Sequence, residues 1–491
     1  MENLDKNMDE EVVDNTYLRV KRRFFERVGV IFSVFNIATF LEYFNLQILP
    51  SSMRGLEMSL FFTSKDNSML TMAENLGLVC FIPIWGALCD KIELQYILIF
   101  GIILTGLINI WLSTISNYTL ILILRIFNGA LMGSVTPSAQ KFIATNLQNK
   151  LAFGFGILHA VMCFGRMISG LISTTYSTDT YRDIYGWRIV LFTYGVVTLV
   201  TSPVLFFIPK VKRIDNNTTG EKIKLSHKIK QLAHYLFFII KESLSNTTSI
   251  LLAVLNFFSD GPFVAFNYVT LLIQYMRLSN TVSAITTGLT ILGGIIGGII
   301  GAFVSDHFDR KWPKHGLLNI GILNVGIRII TFMISFLVID VTNIKRLYPL
   351  LAICLIINGM TFMTVSCVDR TLLANVVMPS VHSSSISIIR CIGGILSAVI
   401  FNPVLAKLNE GVFHFESSSL AVALMPFKLI KKNSDALRYS ISIISLGTTG
   451  VVLVLYIVLH FTYGKDCEKI KQRIGKESGL FEIKEMDDPT P

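Results

Sequence analysis

Six ionisable side chains lie inside long apolar stretches of this 491-residue sequence. They are two carboxylates and four guanidinium groups: Glu42, Asp260, Arg125, Arg166, Arg328 and Arg390. If the apolar stretches cross a bilayer, each charge costs roughly 2.5 to 3.5 kcal/mol to insert, so each residue is a functional candidate by default. A carboxylate can take up and release a proton, and an arginine can hold an anionic group. The residues therefore indicate proton transfer and anion binding.

The composition excludes several classes of protein. Hydrophobic residues make up 52% of the chain against 15% charged, and the mean hydropathy is +0.60, which is too apolar for a water-soluble globular enzyme. Seven cysteines form neither an even disulfide set nor a CxxC pair, so we expect no disulfide scaffold and no metal. The sequence contains no HExxH, GxSxG or phosphate-loop motif, and we expect neither an enzyme nor a cofactor.

Twelve runs of about 20 apolar residues predict an all-α membrane protein, because only helices of that length or closed barrels can cross a bilayer. The predicted spans are Val28 to Pro50, Ser68 to Leu88, Gln95 to Ile115, Thr119 to Lys141, Leu151 to Thr174, Trp187 to Ile208, Thr248 to Gln274, Val282 to Val304, Leu317 to Ile339, Leu347 to Cys367, Ser383 to Ala406 and Tyr439 to Tyr463. The first run is too long, and lacks the small-residue site, for a cleavable signal peptide.

A polar, lysine-rich stretch at 209–247 divides the spans into two groups of six. We therefore expect a cytoplasmic tail at 1–27, a six-helix bundle at 28–208, a basic linker at 209–247, a second bundle at 248–463 with an outside loop at 407–438, and a cytoplasmic tail at 464–491. More than half of the 43 Lys and Arg residues fall on the side of the termini, which predicts that both termini are cytoplasmic. This topology explains the net charge of +10 without a nucleic acid partner, and lipid head groups are the alternative partner of the linker. Asn117 fits the glycosylation pattern, but it lies so close to the membrane that we expect it to be unused.

The two halves share short matching segments, which indicates an internal duplication. Asn128-Gly129 in the fourth span aligns with Asn358-Gly359 in the tenth at an offset of 230 residues. The segments after the second and eighth spans also correspond: they are Gly86, Asp90 and Lys91 in the first half and Asp306, Arg310 and Lys311 in the second. Internal repeats of this kind are typical of transporters, whereas chance likeness between apolar helices is the alternative for any single match.

These motifs resemble those of the major facilitator superfamily of secondary transporters, over roughly Val28 to Tyr463. The two loop segments match its Gly, Asp and basic pattern, which the resemblance associates with gating. Arg125, Gly129 and Gly133 match its arginine and glycine pattern in the fourth helix. The stretch around Glu42 and Gly186-Trp187-Arg188 is similar to the spinster-like branch, although Tyr43 replaces an arginine of that branch. The resemblance implies twelve helices in two pseudo-symmetric six-helix bundles.

The resemblance also implies that the first and fourth helices face one another, so that Glu42 and Arg125 can meet. A change of pairing between two conformations would then move a proton, whereas a static ion pair is the alternative. Asp260-Gly261-Pro262 predicts a helix break in the seventh span, because proline removes a backbone donor. There, Asp260 could carry a proton, bind a cation or cap the following helix.

The remaining polar residues at membrane depth are candidates for binding a solute. Arg166 and Arg390 fall on helices that the family packs at the interface between halves, and either could hold an anionic group. For Arg390, which is nearer the cytoplasmic end, the alternative is a side chain that only extends to the membrane surface. Asn45, Asn267 and Asn358 add amides, whose alternative role is to join helices. Arg328 falls on a helix that usually faces lipid in this fold, and the sequence gives it no role.

We therefore expect a monomeric transporter that moves a small organic or amphipathic solute, such as a lysolipid-like anion, by alternating access coupled to protons. The alternatives are an uncoupled facilitator of the same fold and a membrane sensor or scaffold without flux. The sequence identifies neither the solute nor the membrane.

Overall fold

The computed structural model describes the backbone of residues 2–91, 93–146, 151–207, 240–312, 314–378 and 382–486. Apart from the antiparallel strand pair Thr180–Tyr181 and Ile184–Tyr185, the regular structure in these ranges is helical. Twelve of the described helices are long and apolar enough to cross a membrane, which confirms the predicted number and class. Most of the predicted linker at 209–247 lies outside the described residues.

The helices alternate in direction through the bundle, and we number the membrane-crossing segments as spans 1 to 12. In the first half they are Glu2–Leu60, Ser64–Lys91, Leu94–Thr114, Tyr118–Met132 with Val135–Asn146, Leu151–Tyr176, and Gly186–Thr201 with the 3-10 turn Ser202–Phe207. In the second half they are Thr247–Ser259 with Gly261–Phe266 and Val269–Tyr275, Asn280–Lys311, Gly316–Met333 with the π-helix Ile334–Val338, Ile344–Asn375, His382–Lys407 with the π-helix Leu408–Val412, and Phe427–Met486.

The sequence predicted that span 1 ends at Pro50. In the structure the helix continues for ten more residues to Leu60. Proline at this position removes one backbone hydrogen bond, but the turns beyond it bury Met53 and Leu56 almost completely. Burial of this extension compensates for the backbone hydrogen bond that is lost at Pro50. The extension also carries Arg54 and Glu57 into the protein interior.

Span 7 is broken at Asp260, as the Asp-Gly-Pro sequence predicted. One helix ends at Ser259, a second covers Gly261–Phe266, and a third covers Val269–Tyr275. The backbone of Gly261 lies so close to span 12 that a Cβ atom there would stand 2.7 Å from Cγ2 of Thr448. The break therefore lies against a neighbouring helix, inside the second half.

The predicted outside loop at 407–438 is shorter than the sequence indicated. The π-helix Leu408–Val412 extends span 11, the 3-10 turn Val422–Leu424 follows, and span 12 already begins at Phe427. The segment 413–426 is then the connection that remains, and we call it the outer loop.

Glycines allow close contact between spans 2 and 4 and, in the same way, between spans 8 and 10. A Cβ atom at Gly129 would stand 2.0 Å from the carbonyl oxygen of Glu74, and one at Gly359 would stand 1.8 Å from that of Thr290. The aligned glycines of the two halves thus pack in the same manner, which the predicted duplication explains. The aligned glycines make Thr290 the counterpart of Glu74, and the offset of 230 residues makes Leu355 the counterpart of Arg125.

We expect Gly359→Ala to destabilise the protein by roughly 1 to 3 kcal/mol, because the new methyl group would overlap a backbone oxygen that cannot move alone. The melting temperature of the purified protein in detergent measures the effect. The matched control is Gly447→Ala in span 12, since a Cβ atom built at Gly447 meets no atom of another described helix within 4 Å. Equal melting temperatures for the two variants would contradict this packing.

Candidate functional site

The two halves meet along two pairs of spans: span 2 packs on span 11, and span 5 packs on span 8. Because consecutive spans run in opposite directions, the turns after spans 1, 3, 5, 7, 9 and 11 gather at one end of the bundle. We call this end the loop end and the opposite end, from which the chain termini extend, the terminal end. The polar residues of interest lie between these ends, where the halves face each other.

A group of hydrogen bonds joins the halves at the loop end. The hydroxyl group of Tyr268 donates to the carbonyl oxygen of Ser64 at 2.9 Å, and the Tyr268 and Ser68 hydroxyl groups lie 2.7 Å apart. Asn409 donates to the Ser64 hydroxyl group at 2.9 Å, and the Lys65 backbone donates to Glu410 at 2.7 Å. These contacts connect span 2 to spans 7 and 11, so they hold the loop end of the bundle closed.

Arg54 and Glu57 add a buried ion pair to this closed end. Nη1 of Arg54 lies 2.7 Å from the Glu57 carboxylate and donates to the Tyr275 hydroxyl group at 2.9 Å. The same guanidinium group donates to the carbonyl oxygen of Ser418 at 2.8 Å and to that of Leu420. Span 1 is thereby fixed to the end of span 7 and to the outer loop of the second half. We call this group of contacts the Arg54 latch.

The predicted contact between Glu42 and Arg125 is wrong in this conformation. Arg125 of span 4 instead forms a buried ion pair with Glu74 of span 2, and within the described ranges Nε and Nη1 of Arg125 have no hydrogen-bond partner. The reason is geometric, because the glycine contact at Gly129 brings span 2 within reach of the arginine one turn earlier. Glu74 was not among the six candidates, although it lies inside the predicted second span and the same rule would have identified it.

The Glu74–Arg125 pair belongs to a buried polar network in the first half. The Asn45 amide of span 1 donates to Asn128 at 2.6 Å and to Glu74 at 3.3 Å. Asn45, which the sequence offered as a solute ligand or as a helix contact, joins spans 1, 2 and 4 in this structure. The network contains one carboxylate and one guanidinium group, so the charges balance.

Glu42 is buried against span 4 at a different point. The hydroxyl group of Thr136 lies 2.9 Å from one carboxylate oxygen and 2.7 Å from the other. The next residue, Tyr43, stacks under the guanidinium group of Arg166, which lies 5.1 Å from the ring centre. Arg166 is also the cation that interacts electrostatically with Glu42. Glu42 is thus bound to span 4 through Thr136 and not through Arg125, and its neighbouring cation is Arg166 of span 5.

Asp260 at the break in span 7 faces span 11. Its carboxylate accepts a hydrogen bond from the Ser397 hydroxyl group at 3.4 Å and interacts electrostatically with Arg390. The side chain makes no capping hydrogen bond to the helix Gly261–Phe266, so the capping alternative is not seen here. Asn267 follows that helix and is half-buried.

Arg370, which the sequence analysis placed in a loop, lies near Arg390 in the structure. Arg370 lies inside span 10, which continues to Asn375, well beyond the predicted end at Cys367. Arg390 donates to the Ser366 hydroxyl group at 3.4 Å, and its charge interacts with that of Arg370. Both side chains are exposed at the terminal end and interact electrostatically with Tyr43 of the first half. The second half therefore presents two arginines to the first.

Arg328 is not directed towards lipid but is fully buried between spans 9 and 10. It donates to the carbonyl oxygen of Thr361 at 2.7 Å, and its guanidinium group lies 4.5 Å from the centre of the Phe362 ring. Thr331 donates to Asn358, which is thus also engaged in a contact between these helices. Arg328 and Asn358 therefore hold spans 9 and 10 together in this conformation.

The predicted gating segments are described only in part. The side chains of Asp90, Lys91 and Asp306 lie outside the described residues. Gly86 is half-buried with no atom within 4 Å of a built Cβ atom, Arg310 is exposed, and Lys311 lies over the Trp312 ring at 5.3 Å. The gating role of these segments stays a prediction.

Twelve helices that are long and apolar enough to cross a membrane define an integral multi-pass membrane protein. The family model of the Major Facilitator Superfamily matches residues 35–401, and the chain belongs to that superfamily.

Two curated relatives match a part of the chain. An uncharacterized transporter of Buchnera aphidicola subsp. Schizaphis graminum (strain Sg) is 24% identical over 192 residues, which cover 38% of this chain and 41% of the relative. The quinolone resistance protein NorA of Staphylococcus aureus (strain MRSA252) is 24% identical over 187 residues, which cover 36% of this chain and 46% of that protein. The aligned regions thus span less than half the length of either relative.

Solved structures show the same fold over nearly the whole length. A bacterial homologue of the human lysosomal transporter Spinster, in an inward-facing and unoccupied conformation, matches with a TM-score of 0.75 and 13% identity, covering 90% of this chain and 98% of that one. A D-xylose–proton symporter matches with a TM-score of 0.61 and 11% identity, covering 87% and 97%. At these identities the likeness concerns the fold, and it agrees with the predicted superfamily and spinster-like architecture.

Proposed function

We propose that this protein is a transporter that moves a small organic or amphipathic solute by alternating access, coupled to protons. The observation that carries the proposal is the placement of ionisable groups from both halves opposite each other, while hydrogen bonds close the loop end. Glu42 and Arg166 belong to the first half, and Asp260 and Arg390 to the second. A solute site between two halves that rock against each other requires this arrangement.

The loop-end contacts support an inward-open conformation, provided that both termini are cytoplasmic as the basic residues indicate. Tyr268 and the Arg54 latch then close the outside of the bundle. Opening to the outside requires these bonds to break and new contacts to form at the terminal end. A solute bound between Arg166 and Arg390 would be held by both halves and would favour the state in which they approach.

Glu42 is the side chain that we propose as the main proton carrier. The Thr136 hydroxyl group has one hydrogen to donate, yet it lies within hydrogen-bond distance of both carboxylate oxygens. A protonated carboxyl group satisfies both contacts, because Glu42 then donates one bond and accepts the other. In the charged state, nearby Arg166 would stabilise the carboxylate instead. Movement of Arg166, for example on binding a solute anion, would change which state is favoured.

We expect Glu42→Gln to abolish the dependence of uptake on a pH gradient while leaving exchange of solute down its own gradient. Glutamine keeps the size and one hydrogen bond to Thr136 but cannot release a proton. The measurement is uptake of a labelled solute panel into proteoliposomes with and without an imposed pH gradient. Glu468→Gln is the matched control, because Glu468 is exposed at the terminal end and pairs with Lys314.

Unchanged gradient dependence in Glu42→Gln would remove Glu42 from the coupling. The same experiment on Asp260→Asn tests the second carboxylate. Uptake that never depends on the gradient in the natural chain would indicate an uncoupled facilitator, and absence of flux with every solute would contradict transport.

A further inference from the structure

Three arginines on three different spans lie between the halves, from the middle of the bundle towards its terminal end. They are Arg166 of span 5, Arg370 of span 10 and Arg390 of span 11. Within the described part of the chain, none of the three lies within salt-bridge distance of a carboxylate, whereas the buried Arg54 and Arg125 each pair with a glutamate. The three arginines thus differ from Arg54 and Arg125, each of which forms an ion pair with a glutamate.

Two contacts place the three arginines near one another: Arg390 donates to Ser366, one turn before Arg370 on span 10, and Arg166 lies over the Tyr43 ring of span 1. His159 of span 5 interacts electrostatically with all three, and Tyr43 of span 1 with Arg166, Arg370 and Arg390 in turn. Arg370 and Arg390 are exposed although their helices cross the membrane, and the buried Nε atom of Arg166 has no hydrogen-bond partner among the residues that the structure describes. Positively charged side chains that lie near each other at membrane depth raise the free energy of the protein unless an anion binds between them.

We propose that the solute carries a phosphate monoester and that Arg166, Arg370 and Arg390 bind this group between the two halves. This assignment rests on the transport function proposed above and names its substrate class. The guanidinium fork matches phosphate oxygens in pairs, and a phosphate monoester offers three oxygens and close to two negative charges. When Glu42 is protonated, Asp260 is the carboxylate that offsets one of the three positive charges, and a group with close to two negative charges completes the balance. His159 and Tyr43 supply further hydrogen-bonding atoms at the same point.

The position of Arg370 gives it a distinct role in selecting the solute. It lies five residues before the end of span 10 at Asn375, whereas Arg166 lies fifteen residues after the start of span 5 at Leu151. Arg370 and Arg390 are therefore nearer to the terminal opening, and Arg166 lies deeper. An anion entering from this side meets Arg370 and Arg390 first and reaches Arg166 when it contacts both halves.

The test is thermal stabilisation of the purified full-length protein in detergent, which requires no flux. The probes are three pairs that differ only by the phosphate: glucose 6-phosphate and glucose, adenosine monophosphate and adenosine, and lysophosphatidic acid and its monoacylglycerol. We expect at least one phosphate compound to raise the melting temperature saturably while its uncharged counterpart does not. In Arg370→Gln the concentration for half-maximal stabilisation should rise roughly tenfold or more.

Arg346→Gln is the matched control, because Arg346 is exposed on the same helix at the opposite, loop end. Arg370→Lys keeps the charge without the planar fork and should recover part of the affinity, which a merely structural role would not produce. The proposal is overturned if no phosphate compound stabilises the protein, if the uncharged counterpart does so equally, or if Arg370→Gln responds as the natural chain does. Binding without gradient-driven uptake would instead contradict the transport proposal alone.

Discussion

The double variant Glu74→Thr with Arg125→Leu is expected to be nearly as stable as the natural chain, whereas each single variant is expected to lose roughly 3 to 5 kcal/mol. A single change leaves one charge buried without its partner, next to Asn45 and Asn128. The double change installs the residues that the second half already uses, Thr290 and Leu355, at equivalent positions. At these two positions that half packs around the same glycine contact without an ion pair.

Melting temperatures of the four proteins in one detergent give the measurement, and a double-mutant cycle separates the pair from its surroundings. A double variant that melts no higher than either single variant would show that the two charges stabilise independently. If the double variant is stable but its uptake no longer depends on the pH gradient, the pair also serves the coupling that the sequence proposed for Arg125.

The second large effect is expected at the loop end, where Arg54→Ala should release the Arg54 latch. This guanidinium group contacts Glu57, Tyr275 and two carbonyl oxygens of the outer loop, and hydrogen bonds to charged groups are worth roughly 1.5 to 3 kcal/mol. We therefore expect the loop end to open roughly 10 to 100 times more often. The measurement is the rate of thiol labelling of a cysteine introduced at Ser64 in a variant that lacks the native cysteines.

Arg346→Ala is the control, since it removes an exposed arginine from the same end of the bundle. Arg54→Ala with Glu57→Gln separates loss of the latch from the effect of an unpaired carboxylate, and we expect the same fast labelling from it. A labelling rate that stays at the level of the control would show that the hydrogen bonds of Tyr268 to the Ser64 backbone and to Ser68 suffice to close this end.

The spans, their number and the break at Asp260 could be predicted because they depend on local composition. Twenty apolar residues require a helix in a bilayer, and Asp-Gly-Pro interrupts a helix in any context. The partners of the charged residues could not be predicted in the same way. The choice of Glu74 over Glu42 for Arg125 depends on how closely Gly129 allows spans 2 and 4 to approach, which is a property of three-dimensional packing.

Helix ends were the second source of error, and they concealed functional residues. The sequence ended span 1 at Pro50 and span 10 at Cys367, so Arg54, Glu57 and Arg370 fell in supposed loops. The structure continues both helices, because tertiary burial compensates for a proline and for charged residues near the membrane surface. The sequence analysis assigned no role to Arg328. In the structure Arg328 contacts Thr361 and Phe362 of span 10 and joins this span to span 9.

The Arg54 latch recognises the outer loop through main-chain oxygen atoms and not through side chains. Every amino acid supplies such an oxygen, so the bonds that Arg54 makes to the outer loop do not themselves require particular side chains at residues 418 and 420. The Leu420 side chain points to solvent with 48% of its surface exposed. A short epitope or a fluorophore attached at this residue would thus report on the molecule from its outer surface without disturbing its closure.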